Sequence, residues 1–321
     1  MTKDRLFTTK QVADAIGVSE SSLKRWCDQG LVTTCRTGGG HRRIPQDAVV
    51  AFLRSSGHAL VRPDVLQLPA LPQRGTLRCE TLRPVFLDAI IAADRAKCRE
   101  VMLSLYLSGI SVAAICDDLI TPTMYRIGEL WECGDVEVFQ ERRGCEMCEE
   151  VIGDLVKIIP SPASSAPLAI GATPEGDYYR IATKMVEATL KAAGFRAMNL
   201  GSSLPFSTLV ASVEMLRPTL FWLSASFIVD HEKFVADYQE FQRQTSGLAA
   251  IAVGGQALTA PIRTRIVYAT FGETMRHLDN YAQTLFAVQQ RRDLPAASGV
   301  DISAAIETSH AEVSSAVSSR S

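Results

Sequence analysis

The apolar positions of this chain fall into blocks of different period. Val12, Ala13 and Ile16 mark one face of a short helix, with Thr9 as its N-cap and Gly17 as its stop. Ser19 caps a second helix whose inner face is Leu23 and Trp26. Two short helices across a glycine turn predict a helix-turn-helix. Short β-like arms follow around Gly38, Gly39 and Gly40, which predicts a hairpin tip, and Pro45 predicts the start of another helix.

Residues 56–76 keep no period and carry repeated prolines, the pattern of a linker. Residues 77–159 are helical almost throughout, broken at Gly109, Pro122 and Gly134. A second linker, PSPASSAP, spans 160–167. Over 168–289 apolar runs alternate with amphipathic stretches: strands at 168–172, 196–200, 220–224 and 249–253, helices at 178–193, 206–216, 229–245 and 278–289. That alternation predicts a parallel sheet covered on both faces, with any ligand outside the carboxyl ends of the strands. Residues 290–321, rich in Ser and Ala, predict a disordered tail. The expected fold class is therefore multi-domain α and α/β. A winged helix-turn-helix (1–55) is followed by a four-helix bundle (77–159) and a doubly wound parallel-sheet, flavodoxin-like unit (168–289).

Charge sharpens the picture. The net charge is −2, yet residues 1–55 carry a balance of +4 and the remainder −6. A basic end on a mildly acidic body suits a chain whose one end meets phosphates. The second helix presents Glu20, Ser21, Ser22, Lys24 and Arg25 outward, side chains that reach base edges and phosphates in a major groove. Arg36, His41, Arg42 and Arg43 flank the glycine tip as a basic wing. No apolar run is long enough to span a bilayer, and the first ten residues lack a signal-peptide core, so a cytoplasmic, non-membrane protein is expected. No Gly-x-Ser-x-Gly or His-Glu-x-x-His occurs, and no catalytic residue is assigned.

The segment FTTKQVADAIGVSESSLKRW, then GLV, then GGGHRRI, resembles the MerR family of winged helix-turn-helix regulators over residues 6–54. The resemblance implies that Ser21, Ser22, Lys24 and Arg25 lie in the groove of double-stranded DNA and that Arg42 and Arg43 anchor the wing to its backbone. A helix-turn-helix can also mediate protein contacts, but the basic wing argues for DNA.

The third block resembles a cobalamin-binding domain, whose pattern is Asp-x-His-x-x-Gly, then a serine motif, then Gly-Gly. Asp177 opens the first motif, 41 residues separate its end from Ser224, and 27 separate Ser226 from Gly254. The resemblance implies that Ser224, Ser226, Gly254 and Gly255 line a slot for the cofactor's nucleotide tail. It departs where the chemistry matters most. Tyr179 stands in place of the cobalt-ligating histidine, and Ala182 in place of the last glycine. A phenol is a poor ligand for such a metal, and Asp177 has no histidine to orient.

The helical block resembles the module preceding this domain in light-sensing MerR-class repressors, around IGELWECGDVEVFQERRGCEMCEE. There Trp131 and Glu141 would cap the cofactor, and Arg142 occupies the place of a second cobalt-binding histidine. Trp131 and Glu141 also fit a purely structural role, packing two domains together. Cys145 and Cys148 share a helix face and could form a metal or redox pair, but buried helix thiols are the simpler reading, and no metal site is assigned.

The function expected is a DNA-binding transcriptional regulator whose sensor responds to a small molecule or protein partner and controls homo-oligomerisation on DNA, without histidine-ligated cobalamin. Two alternatives stand beside it. One is a repressor, light-responsive or not, that holds cobalamin with no protein lower ligand. The other is a corrinoid-carrying enzyme module with a DNA-binding arm.

Overall fold

A computed structural model describes residues 5–70 and 77–293. The N-terminal part is a small three-stranded sheet with three helices. Strand β1 (Leu6–Phe7) precedes helices α1 (Thr9–Ile16) and α2 (Glu20–Asp28). Strands β2 (Cys35–Arg36) and β3 (Arg42–Pro45) form the wing, and α3 (Gln46–Ser56) follows. The cap of α1 is Thr8 rather than Thr9. Thr8 accepts from the Gln11 amide at 3.1 Å, and the Gln11 side chain accepts from the Thr8 amide at 2.9 Å. Two threonines in a row left the choice open, and the Gln three residues after Thr8 decides it. Gly17 has φ +71° and ends α1 as expected. Pro45 closes β3 and caps α3. Trp26 packs against Phe52 and His58, a core position.

The proline-bearing stretch after α3 is more ordered than its composition suggests. A 3₁₀ turn at Pro63–Leu66 lies against α1, with Leu66 and Leu68 buried. The Ala15 carbonyl accepts from the amides of Val61 and Arg62.

The helical block comprises α4 (Cys79–Ile91), α5 (Arg95–Leu107), α6 (Val112–Ile115), α7 (Thr121–Glu132) and α8 (Val138–Ile158). A π-helical segment, Cys116–Ile120, joins α6 to α7. Such segments are rare and gather at functional sites. Pro122 falls in the first turn of α7, where a proline costs the helix nothing, so it does not break the run.

The last block is β4 (Leu168–Ala172), α9 (Ile181–Ala192), β5 (Arg196–Asn199), α10 (Phe206–Leu216), β6 (Leu220–Ser224), α11 (His231–Gln244), β7 (Ala250–Gly254), α12 (Ala260–Arg263), β8 (Thr270–Gly272) and α13 (Met275–Asp293). The sheet is parallel with order β5-β4-β6-β7-β8. This is the doubly wound, flavodoxin-like order, and its switch point lies between β4 and β6. The fifth strand, β8, was not anticipated; at three half-buried residues it carries too little apolar pattern to be read. Helix α9 begins three residues later than Tyr178, because Tyr178–Arg180 form a loop. Residues 294–321, which hold most of the expected tail, lie outside the described residues.

The three parts are joined by specific contacts. The Arg54 guanidinium of α3 lies 4.0 Å from the Tyr106 ring centroid on α5 and donates to the carbonyls of Tyr106 and Ile110. The Asp47 carboxylate accepts from the amide and hydroxyl of Ser161, just after α8. Glu149 of α8 pairs with Arg180 at 2.7 Å and Lys184 at 3.5 Å. Asp117 in the π-helical segment accepts from the amides of Met275 and Arg276, and Asp118 pairs with the Arg276 guanidinium.

Candidate functional site

Two concave regions gather the candidate residues. The first lies between α2 and the wing, with a volume of about 420 Å³. Lys24, Arg36, His41, Arg42 and Arg43 line it, together with Thr8, Thr9 and Glu20. The wing is a hairpin in which Cys35 opposes Arg43 and Arg36 opposes Arg42. Gly40, at φ +78°, supplies the left-handed residue its tip requires.

The cations of this groove are not equivalent. Arg42 donates to the Asp28 carboxylate at 2.7 Å and to the Lys24 carbonyl at 3.5 Å, so it ties the wing to the end of α2. Lys24 pairs with Glu20 at 3.0 Å, and Glu20 also accepts from Thr9. Among the described residues Arg36 and Arg43 donate to wing carbonyls, those of Gly40 and Arg42. Ser21 and Ser22 sit at the head of α2, where their hydroxyls meet the capping Ser19 hydroxyl at 3.1 and 2.9 Å. Arg25 is exposed on the same helix.

The second region is a cavity of about 970 Å³ between the helical block and the carboxyl ends of the strands. Seven of the eight candidate ligand-site residues line it: Trp131, Glu141, Tyr179, Ser224, Ser226, Gly254 and Gly255. Asp177, the eighth, is fully buried beside it. Helices α7 and α8 supply the roof, with Tyr125, Trp131 and Val138, all more than a third exposed. Strands β6 and β7 supply the floor.

Asp177 has a definite task although no histidine follows it. Its Oδ1 accepts from the Tyr179 amide at 3.0 Å, and its Oδ2 accepts from the amides of Ser226 at 2.6 Å and Phe227 at 3.2 Å. One carboxylate thereby binds the loop after β4 to the loop after β6. Burial raises its pKa, and the three backbone donors oppose that rise. Backbone alone demands Gly255, and it leaves little room at Gly254. A Cβ on Gly255, whose φ is +108°, would come 2.2 Å from the Ala225 carbonyl oxygen, and one on Gly254 would come 3.1 Å from that of Gly272.

Sequence reasoning missed Trp222. Side chains alternate along β6. Phe221 and Leu223 enter the core shared with α10 and α11. Trp222 points the other way, toward α9, on the same face as Ser224, and its indole Nε1 donates to Thr183 Oγ1 at 2.9 Å. An apolar run reads as core whichever face each residue takes, so the sequence held no signal for it.

Residues 6–57 match the family model of the helix-turn-helix domain, and residues 84–155 match that of the B12 binding domain. The second match covers α4 to α8 nearly in full, hence the roof of the cavity. The chain carries a helix-turn-helix domain and a B12 binding domain. It is 22% identical over 253 residues to the HTH-type transcriptional repressor CarA of Myxococcus xanthus, covering 77% of this chain and 85% of that protein. It is 24% identical over 191 residues to trimethylamine corrinoid protein 1 of Methanosarcina mazei, covering 58% of this chain and 88% of that protein. The structure of the Methanosarcina barkeri monomethylamine corrinoid protein superposes with a TM-score of 0.55 at 17% identity, over 65% of this chain and all of that one, a likeness of fold alone.

The B12 binding domain implies cobalamin, and the lining residues can be tested against it. Among the described residues no histidine lines the cavity. Tyr179 and Arg142, which the resemblance puts in place of the two histidines, do line it; Arg142 pairs with Glu141 at 3.4 Å. Cys145 also lines it, but burial pushes its thiol up to about 12, with help from the Glu141 carboxylate that accepts from it at 3.2 Å. Cys148 is fully buried and pushed higher still. Among the described residues no group of three or more His, Cys, Asp or Glu side chains is placed to hold a metal ion. The face of β6 toward α9 carries the Trp222 indole, and the cavity continues beside it along Met185, Val186, Ala252 and Leu278. Histidine-ligated cobalamin does not fit these residues.

Proposed function

We propose that this chain is a sequence-specific transcriptional regulator of the MerR type, and that occupancy of the cavity controls how its copies assemble on DNA. The observation that carries this reading is the groove between α2 and the wing, in which four basic side chains and a histidine converge. Phosphates supply the electrostatic part of such binding and base edges the sequence. Ser21, Ser22, Lys24 and Arg25 are the side chains for the major groove. Arg36, His41 and Arg43 face the backbone.

A pair of readers on adjacent half-sites gives the spacing a homo-oligomer requires. The cavity lies between the helical block and the α/β unit, so a ligand there touches both sides of the joint held by Asp117, Asp118 and Arg276. Any small molecule or protein that prefers one arrangement of that joint shifts assembly by its differential affinity. The relation to the repressor CarA supports a regulator and not an enzyme. Among the described residues no helix is long and apolar enough to cross a membrane.

The test is selection of bound duplexes from a random DNA pool by the full chain, followed by titration of the winner against salt. Enrichment of an inverted repeat is expected. Arg43→Ala is expected to lower affinity for every sequence and to flatten the salt dependence by roughly one unit of slope. Absence of any enriched sequence, with the protein folded, overturns the reading.

A further inference from the structure

Among the described residues, the groove between α2 and the wing holds a single acidic side chain beside its cations. Glu20 is the first residue of α2 and lines the groove with Lys24, Arg36, His41 and Arg43. The first turns of a recognition helix are the part that meets base edges. A carboxylate there is repelled by the phosphates unless a donor on the nucleic acid meets it. Glu20 is held ready for such a donor. Its Oε1 accepts from Thr9 Oγ1 of α1 at 2.7 Å, and Thr9 is itself buried. The same oxygen lies 3.0 Å from Lys24 Nζ, one turn further along α2. Both side chains still reach solvent, Glu20 at 41% and Lys24 at 55% exposure. The hydrogen bonds from Thr9 and Lys24 hold the Glu20 carboxyl below its ordinary value, so it is ionised at neutral pH. An acceptor and a cationic donor therefore stand side by side on the exposed part of the helix.

We propose that Glu20 and Lys24 together read one C·G base pair, Glu20 accepting from cytosine N4 and Lys24 donating to guanine O6. The inference rests on the proposed DNA-binding reading of this same groove. In the major groove the base donors are cytosine N4 and adenine N6. Within a C·G pair N4 donates to O6, so the two atoms lie about 2.9 Å apart, close to the 3.0 Å between the Glu20 oxygen and the Lys24 nitrogen. The flanking atoms choose between the two kinds of pair. Guanine N7 stands beside O6 and gives the ammonium a second acceptor. In an A·T pair N7 stands beside the N6 donor, where its lone pair repels a carboxylate, and the thymine methyl stands beside O4, where it obstructs an ammonium. The rival role is structural: an acidic first turn suits the helix dipole, and the bond from Thr9 ties α1 to α2. That role carries no base preference.

The test starts from the duplex that the full chain selects. Each position is remade with all four base pairs, and each duplex is titrated with the unaltered protein, Glu20→Ala and Lys24→Ala. One position in each half-site is expected to prefer C·G over the other three pairs by at least roughly five-fold. Glu20→Ala is expected to bring that preference within about two-fold and to leave the preferences at other positions as they were. Lys24→Ala is expected to weaken the preference at the same pair. If circular dichroism shows Glu20→Ala unfolded, Glu20→Gln serves instead: it keeps an acceptor for Thr9 and is expected to move the preference to adenine, whose N6 and N7 match an amide. A preference for C·G that survives in the folded variant overturns the inference. So does a loss of affinity spread evenly over all sequences, or effects of Glu20 and Lys24 at different pairs. Those outcomes leave the regulator reading standing. Absence of any selected duplex, with the protein folded, overturns that reading and this inference with it.

Discussion

Arg42 reaches back from the wing to Asp28 at the end of α2, with 2.7 Å between nitrogen and carboxylate oxygen. The contact joins the two elements that would touch DNA and fixes the angle between them. It gives Arg42 a positioning role that its place in the GGGHRRI motif does not distinguish from phosphate binding. The two roles predict opposite outcomes for Asp28→Asn. Removing a negative charge beside the groove would strengthen binding if Arg42 served only phosphates. If Arg42 holds the wing, the same change weakens binding, by roughly two-fold for an exposed pair. We expect weakening. A double-mutant cycle with Arg42→Gln checks it, since the double variant should be little worse than either single one.

The reader should not move freely on the bundle. Arg54 stacks on Tyr106 and donates to two carbonyls at the end of α5, in a mostly desolvated setting. Arg54→Ala removes the cation–π contact and leaves those carbonyls short of a donor. The expected loss is about 2–3 kcal/mol of stability. It should appear as a lower denaturant midpoint and as faster proteolysis between residues 57 and 76. An unchanged midpoint would place the reader on a loose tether.

How much of this was legible follows from what kind of information each feature needs. The helix-turn-helix was legible because caps, glycine stops and a 3.6-residue period are local, as Gly17 and Ser19 illustrate. The β/α alternation was legible for the same reason, apart from the three-residue β8. The convergence of Trp131 and Glu141 with Ser224 and Gly254 on one cavity came from spacing and resemblance, since nothing in their local pattern joins residues so far apart. Trp222, Asp177 and Arg42 were not assigned their roles, because each depends on a partner distant in sequence. Trp222 needs the missing Cβ of Gly171, Asp177 needs the amides of Ser226 and Phe227, and Arg42 needs Asp28.

Thiol chemistry gives a separate check on the helical block. Cys35 and Cys133 are exposed, whereas Cys79, Cys98, Cys116 and Cys148 are buried. Cys145 is part-exposed, yet its thiol is held near 12 by burial and by Glu141. Alkylation at pH 8 followed by peptide mass mapping should therefore label Cys35 and Cys133 in the native protein and spare Cys145. Glu141→Gln removes the carboxylate's share of that rise and should speed labelling of Cys145 modestly. Rapid labelling of Cys145 in the unaltered protein would contradict the assigned environment.

The joint at Arg276 should respond to acid in one direction. Hydrogen bonding to the Arg276 guanidinium holds the Asp118 carboxyl below its ordinary value of 3.8. A carboxyl lowered in the folded state contributes stability that is complete above its unfolded pKa and fades as pH falls through the folded one. The contact between the π-helical segment and the start of α13 is therefore intact at neutral pH and weakens only below about pH 4. Hydrogen exchange of the Met275 and Arg276 amides reports on it directly, because both donate to neighbouring Asp117. Their protection should drop below that pH before the strands of the sheet lose theirs. In Asp118→Asn the protection should be lower at pH 7, and the part of the acid dependence due to Asp118 should vanish. A variant that kept full protection at pH 7 would show that Asp117 alone secures the joint.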